Sequence, residues 1–437
     1  MMTVDLLVAP RWLVPIEPAG VVLEDHALVV DRGRIVELLP ADQAAARYQA
    51  RETLTLGRHA VLPGLVNTHS HAAMSLLRGI ADDLPLMDWL QNHIWPTEAM
   101  HAGPAFCEDG ARLAFAEMIR GGITCVNDMY FFPEATVRAA REAGLRLVVG
   151  LIVLDFPSAW AQNADEYLHK GLALHDELKG ETLMRTIFAP HAPYTVSDEP
   201  LRKLRQYADE LGIGIHMHVH ETAGEVDTAV RAGGVRPLQR LDELSLLGPD
   251  FIAVHMTQLT DEEITLLAGL GVHIAHCPES NLKLASGFCP VHKLRTAGVN
   301  VALGTDGAAS NNDLDLFGEM RSAALLAKGV SGDARALPAH EALRAATLAG
   351  AQALGLDGEI GTLAAGKSAD FIAVDLGGLA TQPVYNVLSQ LVYASSRDQV
   401  THSFVAGRAL LRDGALTTLD ETEILAKAAR WRARIRP

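Results

Sequence analysis

The sequence has little of what several function classes require. Its four cysteines, Cys107, Cys125, Cys277 and Cys289, stand apart without CxxC spacing, which fits reduced, buried thiols and argues against a disulfide framework or a thiolate zinc site. The longest apolar run, around 147–154, falls far short of the roughly 20 residues that cross a bilayer. The opening MMTVDLLVAPRWLVPIEPAG has no cationic start and no long apolar stretch before a small-residue cleavage site, so it does not read as a signal peptide. A cytoplasmic protein with no membrane partner is expected. Positive charge is also scarce: 37 Lys and Arg against 53 Asp and Glu give a formal net charge of −16. With no basic stripe to neutralise a phosphate backbone, nucleic acid is a poor partner, although a single nucleoside is not excluded. The glycines at 64, 304 and 307 lack a phosphate-loop pattern, and Pro and Gly form no low-complexity tract.

What is present is a rhythm. At 437 residues the chain exceeds what one hydrophobic core usually supports, so two domains are expected. Between about 60 and 310 a short β-branched run, a turn and an Ala/Leu/Arg-rich helical stretch recur. The strand candidates are 62–69, 122–130, 145–153, 184–192, 212–219, 251–259, 271–279 and 299–307. Strands separated by helices pair in parallel, and eight such units close a (β/α)8 barrel. The flanks differ: ALVVDRGRIVELLP near the start, and ADFIAVDL and THSFVAGRALLRDG near the end, alternate like antiparallel strands. Neither flank makes a β domain alone. The expected division is therefore a barrel of 59–364 beside a small split β-sandwich of 1–58 and 365–437 that ends in a basic surface helix.

In a parallel barrel function gathers where strands end. Strand one ends in His69-Ser70-His71, whose imidazoles share a face and can bind one ion. Strand five carries His216, His218 and His220 before Glu221, strand six carries His255, and strand eight ends in Gly304-Thr305-Asp306-Gly307. Each is weak alone. Together they place polar groups on one rim of a packed barrel, where each costs several kcal/mol unless paired or metal-bound. Periodicity does not select among the three strand-five histidines.

The motifs PGLVNTHSH (63–71), APHAPYTVS (189–197), HVHET (218–222), HCPESNLKLASG (276–287), GTDGAAS (304–310) and GTLAAGKSADF (361–371) resemble, in order and over nearly the whole chain, the amidohydrolase superfamily. Within it the chain is most similar to the 5′-methylthioadenosine/S-adenosylhomocysteine deaminases. The resemblance implies one zinc ion per subunit, held by His69, His71, His218 and Asp306, with His255 just beyond. It also implies a nucleoside substrate and a homodimer or higher homo-oligomer. The family's H-x-x-E spacing selects His218 with Glu221 and leaves His216 and His220 structural roles. The mechanism expected from these residues has Asp306 accepting the proton of water, Glu221 protonating the purine nitrogen next to C6, and His255 stabilising the oxygen that forms there. Glu98, in IWPTEAM, matches a carboxylate that accepts ribose hydroxyls, and His191 a substrate-contacting histidine. Met256-Thr257-Gln258 follows His255 where relatives often carry a second histidine.

Other readings stand beside this one. The same chemistry serves deamination of guanine, cytosine or a pterin and dechlorination of a triazine, with Glu98 the discriminating residue because a free base has no ribose. A non-catalytic scaffold is the reading outside enzymology. A binuclear centre with a carboxylated lysine is disfavoured because strand four ends in APHAPY, without lysine. Residues 151–170 contain no arginine and only Lys170, which favours a small apolar 5′ group over a homocysteine tail unless an arginine such as Arg185 reaches the site.

Overall fold

Alternating apolar and polar residues over the first forty positions make β1 (Met2–Leu13), β2 (Leu23–Glu24), β3 (His26–Asp31) and β4 (Arg34–Pro40), followed by the long β5 (Tyr48–Pro63). Residues 1–436 are described by this computed structural model. Eight strands with helices between them come next: β6 (Leu65–Ser70), β7 (Ile123–Asp128), β8 (Arg146–Val153), β9 (Met184–Pro190), β10 (Ile215–Val219), β11 (Phe251–His255), β12 (His273–His276) and β13 (Asn300–Leu303). All are parallel and in sequential order in one sheet. Helices cover their outer faces, so they read as continuous apolar runs, and β8 (RLVVGLIV) is buried at every position.

The barrel closes where β13 meets β6. The Thr68 hydroxyl donates to the Leu303 carbonyl at 2.7 Å, and the Thr305 and Asp306 amides donate to Asn67 Oδ1 at 3.0 Å and to the His69 carbonyl at 3.1 Å. A side chain at Gly304 would put its Cβ 2.8 Å from His69 Cβ, so the close approach of the two segments requires glycine there.

The chain then adds β14 (Phe371–Asp375), β15 (Val400–Val405), β16 (Arg408–Arg412) and β17 (Ala415–Leu416) to the first sheet, in the order β17-β16-β15-β14-β5-β1-β3-β4 with β2 on β1. The two ends of the chain thus build one sheet beside the barrel, as the flanking patterns predict. One pairing departs from the expected antiparallel arrangement: β1 and β5 run parallel, because the β3-β4 hairpin and the helix Ala41–Arg47 form a crossover long enough to return the chain in the same direction. A buried ion pair fastens sheet to barrel, with the Arg146 guanidinium on β8 forking onto Asp370, just before β14, at 2.9 and 3.2 Å.

Three strand expectations change in detail. The candidate 62–69 spans two sheets, since Leu62 and Pro63 end β5 against β14 while Leu65 begins β6. The later strands stop short of their expected ends, β11 at His255 and β13 at Leu303. There His255, Met256 and Asp306 take left-handed backbone with φ of 74°, 50° and 60°, which ends the pleat and turns side chains onto the barrel rim. Among the described residues no helix is long and apolar enough to cross a membrane.

Candidate metal centre and active site

The inward face of β6 carries His69, and His71 follows where the strand ends. His69 Nε2 and His71 Nε2 each lie 3.3 Å from Asp306 Oδ1, and His218 Nε2, from β10, lies 3.2 Å from His69 Nε2. In each of two overlapping triads, His69/His71/Asp306 and His69/His218/His255, the three donor atoms lie within 4.8 Å of one another. His255, expected just outside the ligand set, therefore stands within reach of the same centre. Each Nδ1 is engaged on the outer side: His71 on the Met129 carbonyl at 2.6 Å, His218 on the His191 carbonyl at 2.7 Å, His255 on Asn281 Oδ1 at 2.8 Å, and His69 on His216 Nε2 at 3.0 Å. Such outer partners turn the Nε2 lone pairs to the middle.

Charge follows the same plan. Burial pushes His69 down to about 4 and, with the neighbouring rings, holds His218 well below the ordinary histidine range. Burial alone raises Asp306, but hydrogen bonding to His69 and the imidazoles around it bring its carboxyl well below the usual range. Uncharged imidazole nitrogens beside one buried carboxylate are the donor chemistry of a single-ion zinc site with an open position. Asp306 is tightly held, accepting the Gly307 amide on Oδ1 at 2.7 Å and the Ser280 hydroxyl on Oδ2 at 2.6 Å. Sequence reasoning missed Ser280, which lies in the HCPESN stretch beside Asn281 and has no spacing rule of its own to mark it.

Above the centre opens a cavity of about 820 Å³, mouth included, lined by His71, His218, His255 and Asp306 at its floor and by Glu221, His191 and Glu98 around them. Glu221 Oε2 is 3.8 Å from His255 Nε2. Burial, and then Asp306, push the Glu221 carboxyl up to about 8. It is not a helix cap: Thr222 caps the helix Ala223–Gly233 through the Glu225 amide, which leaves the Glu221 side chain to the cavity. His191 Nδ1 sits 3.1 Å from the Thr195 hydroxyl, and burial pushes the ring down to about 3.

Glu98 arrives on a helix with a wide turn. Leu86–Trp89 is α-helical, Leu90–Ile94 is π-helical and Trp95–His101 is α-helical again. Pro96 lacks an N–H and its ring would clash with the carbonyl four residues back, so the turn opens. The Tyr130 hydroxyl donates to Glu98 Oε1 at 2.7 Å, and burial, offset in part by Tyr130 and His71, raises Glu98 to about 7. No motif pointed to Tyr130, two residues beyond β7. His220 turns away from the centre, its Nε2 accepting the Leu238 amide at 3.2 Å. No Lys or Arg is among the described residues that line the cavity.

A parallel barrel whose strand ends converge three imidazoles and a carboxylate below a cavity is a metal-site enzyme scaffold. The amidohydrolase family model matches residues 60–410, and the chain belongs to that family. A 5-methylthioadenosine/S-adenosylhomocysteine deaminase of Saccharophagus degradans is 49% identical over 99% of this chain and 97% of its own length. A protein of the same name from Teredinibacter turnerae is 49% identical over 99% and 98%. The solved structure of an adenosine deaminase from Xanthomonas campestris with bound zinc is 53% identical, with a TM-score of 0.99 over 100% of this chain and 99% of that one.

Proposed function

We propose that the chain is a zinc-dependent hydrolytic deaminase of adenine nucleosides, with 5′-methylthioadenosine as preferred substrate. One observation carries the reading: a single cavity joins the His/Asp centre and Glu221 at its floor to Glu98 on its wall, an arrangement that accommodates a purine amine at one end and a ribose diol at the other. The names of the relatives agree with it. His69, His71, His218 and Asp306 are the proposed ligands. Zinc held there supplies the Lewis acidity that makes water a nucleophile near neutral pH.

The remaining steps belong to the chain's own groups. Asp306, held through Oδ2 by Ser280, takes the proton of the attacking water. Glu221, whose carboxyl keeps its proton at neutral pH, donates it to the ring nitrogen beside C6, so that negative charge does not collect on the purine. Asp306 then delivers its proton to the departing amine while the hydroxyl at C6 returns a proton to Glu221, giving ammonia and the inosine analogue with both carboxyl groups restored. His255 commits its Nδ1 proton to Asn281 Oδ1. Its neutral ring therefore offers Nε2 as an acceptor that orients water, and it stabilises the oxygen at C6 only once protonated. Glu98 accepts the ribose hydroxyls and His191 contacts the base.

The cavity lining supports the choice of substituent. Trp95, Phe156, Leu154 and Phe131 are among the residues that line it, and no Lys or Arg is. Lys170 pairs with Glu166, and Arg185 bonds the Glu181 and Met184 carbonyls at the opposite end of the barrel strand. A thioether methyl fits such a wall better than an amino-acid tail. We further read 59–364 as the catalytic unit, 1–58 with 365–437 as its support, and the working form as a cytoplasmic homodimer or higher homo-oligomer, the last by resemblance and open to sedimentation.

The test is ammonia release and the adenine-to-hypoxanthine absorbance change of zinc-loaded protein with 5′-methylthioadenosine, S-adenosylhomocysteine, adenosine, adenine, guanine and cytosine. The expected result is turnover of the first at kcat/KM of about 10⁴–10⁸ M⁻¹s⁻¹ and weak or no reaction of the free bases. Reaction of free bases alone overturns the nucleoside pocket.

A further inference from the structure

His216 has no part in the chemistry above, yet it is fully buried in the barrel interior. It precedes His218 by two residues on β10, on the same inward face, and its Nε2 lies 3.0 Å from His69 Nδ1. The other imidazoles at the centre lean on oxygens that have no proton to give: the Met129 and His191 carbonyls and Asn281 Oδ1. Those rings can hold only the Nδ1–H tautomer, with the Nε2 lone pair turned inward. His69 alone leans on a group that itself has two tautomers.

The two arrangements of that pair exclude each other. In one, His69 Nδ1–H donates to His216 Nε2, the His69 Nε2 lone pair faces the centre, and His216 carries its own proton on Nδ1. In the other, His216 Nε2–H donates to His69 Nδ1, and His69 carries its proton on Nε2, aimed at Asp306 Oδ1 3.3 Å away, which closes the ligand position. His216 Nδ1 is buried with no hydrogen-bond partner. An orphaned buried nitrogen costs free energy, and a side chain needed only to fill the barrel interior would carry no such nitrogen.

We infer that His216 is a positioning residue of the metal centre, the acceptor that holds His69 in the tautomer able to bind a divalent cation. This rests on the reading of His69 as a ligand but on no choice of substrate. The Nδ1 site of His216 is left protonated and unpaired in the loaded state, and removing zinc allows the pair to relax to the opposite arrangement.

The experiment compares wild type, His216→Gln and His216→Leu as full chains, stripped of metal and titrated with zinc against a competing chelator, with the fold of each apo form followed by circular dichroism. Loss of the acceptor in His216→Leu is expected to weaken zinc binding by about 10–100-fold, and Gln, whose amide oxygen can accept from His69, to recover most of it. In wild type alone, ¹⁵N spectra of labelled histidine should show His216 protonated at Nδ1 and bare at Nε2 in the zinc form. Wild-type affinity in His216→Leu, a His216→Gln as weak as His216→Leu, or a zinc-loaded spectrum with the proton on His216 Nε2 would each overturn the inference. Should His216→Leu fail to fold, the wild-type spectrum decides. Because neither readout uses a nucleoside, failure of the deaminase reading leaves this result separately visible.

Discussion

On the proposed reading, Glu98 and Tyr130 act together in binding the ribose. The Tyr130 hydroxyl occupies Oε1 and leaves the rest of the carboxylate for the diol, while burial lifts Glu98 to about 7. A carboxylate accepts two hydroxyl hydrogens and a carboxylic acid does so poorly, so nucleoside binding selects the ionised form. KM for the nucleoside should therefore fall as pH rises through about 7. Tyr130→Phe removes a group that lowers the Glu98 pKa and should move that limb to higher pH; a KM profile unchanged by the substitution removes the pair from ribose recognition. Glu221 is tested at the same scale. Glu221→Gln should keep its zinc, by metal analysis, and lose about 10²–10⁴-fold in kcat, since the amide cannot deliver the proton held by a carboxyl raised to about 8. At this scale the sequence was legible where a motif imposes spacing, as in His69-x-His71 and His218-x-x-Glu221. It was silent where a residue works through a contact distant in sequence. Tyr130 meets Glu98 across 32 positions and Ser280 meets Asp306 across 26, and the shared parity of His216 and His218 hides the difference between an outer partner and a proposed ligand.

Between elements, the fold depends on how firmly the flanking sheet grips the barrel. The Arg146–Asp370 pair is nearly inaccessible on both sides, and Asp370 also accepts the Ser368 hydroxyl and the Ala406 amide at 2.6 and 2.8 Å. Replacing Asp370 by Ala leaves a buried guanidinium without its carboxylate, which costs about 3–5 kcal/mol. The expected outcome in guanidinium chloride is a lower unfolding midpoint, with the unfolding free energy reduced by that amount and the zinc stoichiometry intact; an unchanged midpoint would show that water or Thr182, whose carbonyl Arg146 also reaches, replaces the lost partner. The strands themselves were readable from their β-branched runs because helix-covered parallel strands are apolar throughout. Their C-terminal limits were not, because the apolar pattern continues past His255 into Met256 while the backbone has already turned left-handed. The parallel pairing of β1 with β5 was equally hidden, since alternation marks a strand with unequal faces but not the direction of its neighbour.

At the scale of the whole molecule, a formal charge of −16 and a cavity whose charged lining is acidic oppose any anionic 5′ group, so adenosine 5′-phosphates should not be turned over under conditions in which 5′-methylthioadenosine is. With zinc bound to the proposed ligands, the centre would also tie the barrel together. His69, His71, His218 and Asp306 come from three chain segments separated by well over a hundred and by nearly ninety residues, and they meet where β13 closes onto β6. An ion bound to all four stabilises the native barrel over the unfolded chain by RT ln(1 + [Zn]/Kd), about 4.1 kcal/mol at a free concentration a thousandfold above Kd. Chelation should therefore lower the melting temperature by several degrees, and readdition of zinc restore it. In His69→Ala the melting temperature should respond weakly to either, because one of the four proposed anchors is gone and His216 has lost the ring it holds. Equal melting of loaded and verified metal-free wild type would mean that the rim is organised by its hydrogen bonds alone, through Thr68, Asn67 and Ser280, and that the ion contributes to chemistry without holding the barrel closed.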